Sequence, residues 1–153
     1  MVITETSLAI YNKTLYKDLN PESLPTWLRV NLANMIADDT DTWAKEFSKF
    51  NSGTHNAQWL VVDMKLTPGA SANVVRMVEQ IPGFITDLDV TDLMYEHGYL
   101  GSYNIAYNPY IFDVAGYREQ GFSYWGDLRA VLLKEAEPEI KTAEDALNLI
   151  VSN

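Results

Sequence analysis

The stretch that decides the fold is Phe50-Asn51-Ser52-Gly53-Thr54-His55-Asn56-Ala57-Gln58-Trp59-Leu60-Val61-Val62-Asp63. A Gly-containing turn feeds four side chains able to hydrogen-bond (Thr54, His55, Asn56, Gln58) into the apolar run Trp59-Leu60-Val61-Val62. That is a polar strand entrance followed by a buried strand. Strict alternation sends Thr54, Asn56 and Gln58 to one face and His55, Ala57 and Trp59 to the other. Three amide or hydroxyl groups on one face either need internal partners or form a set of donors held ready for a ligand.

Working outward, residues 2–10 predict a strand and residues 11–19 a polar loop. Asn20-Pro21-Glu22-Ser23 opens a helix from about Leu24 to Ala37, with Leu24, Trp27, Leu28, Leu32, Met35 and Ile36 as one apolar, core-facing stripe. A second helix over about 42–50 presents Trp43, Phe47 and Phe50. After the central strand (57–66), residues 67–71 read as a turn and residues 74–80 as the returning antiparallel strand, which brings Asn56 near Gln80. A third short strand covers 84–88. Asp89 or Thr91 then caps a helix that Gly98 ends. From Tyr95 to Trp125 the chain holds seven tyrosines amid glycines, read as packed loops around a short helix at 109–115. Two terminal helices follow, 128–137 and 142–151.

At 153 residues the chain fits one domain, or a fragment of a larger one. Apolar residues make up 47% and charged residues 21%, which argues against disorder. The net charge of −10, with scattered basic residues, excludes nucleic acid as an expected partner and disfavours anionic lipid surfaces. No apolar run is long enough for a transmembrane helix, and residues 1–6 lack the pattern of a signal peptide. With no cysteine, disulfides and thiol catalysis by this chain are excluded. Two unpatterned histidines give no metal site, and no cofactor fingerprint is present. Asn12-Lys13-Thr14 is an N-glycosylation sequon.

The stretch 51–63 resembles the phospholipase B-like family, whose members carry Asn-Ser-Gly-Thr-Tyr-Asn-Asn-Gln-Trp before an apolar strand ending in Asp. His55 and Ala57 are the departures. Glu79-Gln80-Ile81-Pro82-Gly83, Asp89-Val90-Thr91 and Ser102-Tyr103-Asn104-Ile105-Ala106-Tyr107 resemble further family segments in the same order. Family members are several times longer, and the chain is similar to their middle portion.

The resemblance implies an α+β fold, part of an αββα sandwich of the N-terminal nucleophile hydrolase type, with an antiparallel sheet and flanking helices. Half of such a sandwich exposes apolar sheet. It also implies a hydrolase of ester (or amide) bonds in lipids, lysosomal or secreted in its full-length form. In such enzymes a processed N-terminal cysteine attacks the carbonyl, and preformed donors stabilise the oxyanion. Asn56 is the candidate oxyanion donor. Thr54, Gln58 and Asn104 are candidate substrate-binding residues. Arg129 reads either as binding a substrate phosphate or as pairing with the acid-rich C-terminal helix, with the pair favoured, and Asp63 as a strand-end cap. The implied partners are a lipid or acyl substrate and an N-terminal portion carrying the nucleophile. The alternative is a catalytically dead relative retained as a binding protein.

Overall fold

A computed structural model describes residues 1–66, 69–70 and 72–151. The elements run β1 (Val2–Ser7), a 3-10 helix (Lys13–Asp18), α1 (Thr26–Ile36), α2 (Thr40–Ser48), β2 (Ala57–Val62), β3 (Val75–Ile81), β4 (Phe84–Asp89), α3 (Thr91–His97), α4 (Pro109–Val114), α5 (Leu128–Ala136) and α6 (Ala143–Val151). The fold is α+β as expected. The turn expected at 67–71 lies partly outside the described residues.

The four strands form one antiparallel sheet in the order β1-β2-β3-β4. The second sheet of an αββα sandwich is not among the described residues. In the register Trp59 faces Val78 and Ala57 faces Gln80, while on the other side Trp59 faces Glu5. Alternation then divides the sheet cleanly. Ala57, Trp59, Val61 and Val78 pack on α1 and α2 through Ala33, Trp43, Ala44 and Phe47. The rings of Trp43, Phe47 and Trp59 sit within 4.8–5.9 Å of one another. On the opposite face Val75 and Met77 pack with Val90 beneath α3. The Tyr95–Trp125 segment forms a further core around Tyr103, Ile105, Ile111, Tyr117 and Tyr124. The two central strands are thus covered on both faces, while the edge strands leave Val2, Phe84 and Leu88 exposed.

α1 corrects the sequence reading. Its apolar stripe faces outward: Trp27, Leu32, Met35 and Ile36 are 67%, 40%, 82% and 58% exposed. The buried face is Thr26, Arg29 and Ala33. Periodicity locates an apolar face but does not choose which side meets the sheet, and here the hydrogen-bonding needs of Arg29 choose it. Phe50, expected in the core of the second helix, is likewise exposed and takes φ 55 just beyond α2. The polar loop expected at 11–19 contains the 3-10 helix, which Asn12 caps through Thr14 N.

Helices α3 to α6 occupy the expected segments, but the N-cap of α3 is Val90, without a side-chain cap bond, rather than Asp89 or Thr91; Asp89 Oδ1 accepts from Thr91 N one residue on (3.0 Å). Gly98 ends α3 at φ 77, Asn108 caps α4, Asp127 caps α5, and Thr142 opens α6 through paired bonds with Asp145. No helix among the described residues is long and apolar enough to cross a membrane.

An exposed position of α1 and a buried position of α2 predict opposite mutational outcomes. Met35→Glu should change stability by less than about 0.5 kcal/mol. Trp43→Ala, at the centre of the aromatic cluster, should cost about 3–5 kcal/mol. Urea denaturation followed by circular dichroism measures both.

Candidate functional site

The chain enters β2 through Gly53 at φ 62, whose missing Cβ would lie 2.6 Å from Pro82 Cα, so a side chain there would collide with backbone. A bend at Thr54-His55 follows, and regular strand begins only at Ala57. Alternation therefore does not extend through the entrance, and Thr54, Asn56 and Gln58 do not form one row.

Thr54 turns toward α1. Its Oγ1 accepts from Thr26 N (3.2 Å) and contacts Ser52 Oγ (2.8 Å), capping a helix whose own N-cap, Pro25, offers no side-chain acceptor. Thr54, His55 and Trp59 line a cavity of about 560 Å³ with Pro25, Trp27 and Val30.

Gln58 lies on the opposite face, fully buried and fully engaged. Its Nε2 donates to Glu79 Oε1 at 2.7 Å, while its Oε1 accepts from Ser102 Oγ (2.5 Å) and Tyr124 OH (3.1 Å). Both ends of its side-chain amide are thus bonded inside the fold. Asn104 is also engaged: Nδ2 donates to Ser7 O (3.0 Å) and Oδ1 accepts from Arg129 Nη1 (2.9 Å). Asn104 takes φ 59 and lines a separate cavity of about 400 Å³ with Tyr11, Phe122 and Arg129. Arg129 is thus held by Asp127, Asn104 and Tyr103 O, not by the acid-rich C-terminal helix.

Asn56 is the exception. Its backbone carbonyl accepts from Leu8 N (2.7 Å), extending the β1 pairing, but its side-chain Oδ1 is buried without a partner. No protein group bonds its side-chain amide among the described residues. It borders none of the described cavities; its neighbour His55 does. Ala57 is fully buried in the aromatic cluster on α1 and α2. The family's second asparagine is thus replaced at a position that packs into the core. Asn12 Nδ2 donates to Val114 O (3.0 Å), so the sequon amide is tied into the fold. Asp63 accepts from Lys65 N, holding the turn after β2.

Two groups escaped the sequence reading. Glu79, 1% exposed, accepts from Tyr107 N and Asn108 N (both 2.7 Å) as well as Gln58, and pairs with no cation among the described residues. Burial pushes its carboxyl above the ordinary glutamate range, and the three N–H donors pull part of the way back. The signal was present in β3, where the adjacent pair Glu79-Gln80 puts a polar residue on each face of a strand that is apolar apart from Arg76. Arg29, 2% exposed, donates to Phe47 O, Lys49 O, Asn51 Oδ1 (3.3 Å) and Gln80 Oε1 (2.9 Å), and desolvation lowers it to about 10. Gln80 Nε2 in turn donates to Thr26 Oγ1 and to His55 O. No cluster of three metal-ligating side chains occurs among the described residues.

The comparisons with known proteins settle the family. A family profile described as phospholipase B matches residues 1–153. The chain belongs to the phospholipase B family. It is 35% identical to phospholipase B-like protein G of Dictyostelium discoideum over all of this chain and 28% of that protein. It is 38% identical to human phospholipase B-like 1 over 84% of this chain and 24% of that protein, and 33% identical to phospholipase B of Crotalus adamanteus over 94% and 28%. The chain spans about a quarter of the length of these phospholipase B relatives.

Glu79 gives the fold a pH dependence of definite sign. A folded-state carboxyl raised above its unfolded value binds more protons folded than unfolded, so its contribution is complete below the ordinary glutamate value and is lost as pH rises through the raised one. Urea midpoints between pH 4 and 7 should show this decline, and Glu79→Gln should remove that part of the slope.

Proposed function

We propose that residues 1–153 supply sheet and pocket wall to a phospholipase B-type hydrolase of lipid ester (or amide) bonds, with Asn56 as the oxyanion donor. Family membership provides the reaction class. The observation that carries the role of Asn56 is selective engagement. Among the described residues, Thr54, Gln58 and Asn104 are held by internal side-chain bonds, whereas Asn56 Nδ2 makes no bond to protein and its acceptor Oδ1 is buried without a partner.

An oxyanion donor must be available when charge develops and must not need to reorganise. A β-strand entrance fixed by Gly53 on one side and the β1 pairing on the other supplies that rigidity. The nucleophile belongs to polypeptide outside this chain, which contains no cysteine. In the reaction it would attack the acyl carbonyl, Asn56 Nδ2–H would hold the resulting oxyanion, collapse of the tetrahedral species would expel the alcohol or amine with the proton given up by the nucleophile, and water would then hydrolyse the acyl intermediate to the free acid and regenerate the nucleophile.

The second reading, a binding protein without turnover, is favoured by the same lack of cysteine. The two separate in a defined assay. The purified chain alone should hydrolyse neither phosphatidylcholine esters nor acyl amides, and turnover that survives repurification would overturn the assignment of the nucleophile elsewhere. Joined to a nucleophile-bearing N-terminal segment it should become active, and Asn56→Ala should then lower kcat about 100- to 1,000-fold while leaving KM within a few-fold. Activity unaffected by Asn56→Ala would remove Asn56 from the reaction, and no activity in the joined protein would favour the binding reading.

A further inference from the structure

The cavity between α5 and α6 has a lining that the hydrolase reading does not use. It measures about 510 Å³, and its walls are aliphatic: Leu128, Leu132 and Leu133 of α5 with Leu149 and Ile150 of α6. Leu128 and Leu132 stand one turn apart, so a single face of α5 carries this stripe. The remaining lining residues gather together, because Ser102 and Tyr103 are neighbours in the chain and Arg129 donates to Tyr103 O. Among the described residues Arg129 is the one charged side chain that borders the cavity.

Arg129 is held in place without being used up. Nε donates to Asp127 Oδ1 (3.0 Å), Nη1 to Asn104 Oδ1 (2.9 Å) and Nη2 to Tyr103 O. A guanidinium carries five N–H donors, so one on each terminal nitrogen remains, on a side chain more than half exposed. Asp127 does not cancel the charge outright. The same Oδ1 also accepts from Arg129 N (3.0 Å) as the N-cap of α5, where the helix dipole is positive and offsets part of the carboxylate. Ser102 Oγ is bonded to Gln58 and Thr6, which leaves the guanidinium as the polar group open to a ligand.

This lining narrows the class of ligand. A cation meets Arg129 with like charge. A sugar or nucleotide would bury its hydroxyls against leucine without partners. A phosphate monoester brings two charges to a rim with a single cation and meets the carboxylate of Asp127 more strongly. A single negative charge on an unbranched hydrocarbon chain suits both parts: the chain takes the aliphatic walls, and the carboxylate accepts from the fork of Arg129. The cavity volume falls within the ordinary range for small-ligand sites.

We propose that the cavity between α5 and α6 binds a free fatty acid, its chain among the leucines and its carboxylate on Arg129. A fatty acid is the product that the proposed lipid hydrolase releases, and in that role the site rests on that reading. Its position agrees. Arg129 and Tyr103 also line the adjoining cavity of about 400 Å³, which reaches Leu8, and Leu8 N donates to Asn56 O (2.7 Å).

Calorimetric titration of the purified chain tests binding without any turnover. Decanoate is compared with three ligands of the same chain length: decan-1-ol with a neutral head, decyl phosphate with a dianionic one and decyltrimethylammonium with a cationic one. The expected result is saturable binding of decanoate, with decan-1-ol about three- to fivefold weaker and the cation weaker still. Arg129→Gln should weaken decanoate about three- to fivefold and leave decan-1-ol unchanged, which shows the cavity to be intact. Leu132→Glu, at a partly exposed position, should weaken both ligands about tenfold or more, with circular dichroism to show that the chain is folded. Equal binding of decanoate and decan-1-ol, tighter binding of decyl phosphate or of the cation, or no saturable binding of decanoate overturns the proposal. So does an Arg129→Gln chain that keeps the preference for the acid, or a folded Leu132→Glu chain that binds both ligands as before. Binding of decanoate needs no nucleophile, and hydrolysis by the joined protein needs no decanoate site, so the two readings fail independently.

Discussion

The structure depends on a pair of adjacent side chains in β3, Glu79 and Gln80, which alternation drives into two different interiors. Both are buried to about 1% exposure or less. Glu79 enters the tyrosine-rich side, where backbone N–H groups of Tyr107 and Asn108 close on its carboxylate and Gln58 links it to Ser102 and Tyr124. Gln80 enters the α1 side, where it accepts from Arg29 and donates to Thr26 and His55 O. A buried polar group left without a partner costs about 1–3 kcal/mol. The two layers of the fold must therefore sit where these partners can be reached.

This explains what could and could not be read from the sequence. Strand and helix positions were legible because alternation, caps and Gly98 are local signals. The orientation of α1 was not, since its apolar stripe and its Arg29 face compete and a long-range bond to Gln80 decides between them. The shared face assigned to Thr54, Asn56 and Gln58 failed for a conformational reason: alternation holds only in extended backbone, and Gly53 at φ 62 with the bend after it breaks the period. Gln58 and Asn104 looked like free amides because sequence does not reveal that Glu79 and Arg129 come to meet them.

Internal engagement of those neighbours also gives the candidate site its shape. Thr54 caps α1, Gln58 holds Glu79, and Asn51 bonds Ile81 O and Phe84 O while accepting from Gly53 N. Each of these bonds fixes the backbone on one side of Asn56 or the other. The oxyanion donor proposed at Asn56 would gain more from a fixed backbone than from partners of its own, because a partner would have to be released before an oxyanion could be bound.

Arg29 shows how that backbone is held without a buried ion pair. Its guanidinium meets no carboxylate among the described residues. Instead it points at Phe47 O and Lys49 O, the carbonyls at the C-terminal end of α2, where the helix dipole is negative, and it lies 4.4 Å from the centre of the Phe47 ring. Desolvation lowers its pKa to about 10, still far enough above neutrality to keep the charge. The planar fork satisfies four acceptors from α2, from the turn at Asn51 and from β3 together, which a single ammonium on a flexible stem does not reproduce. One buried cation thus ties α1 to the end of α2 and to the turn that delivers Asn56. That is why the polar face of α1, and not its apolar stripe, meets the sheet.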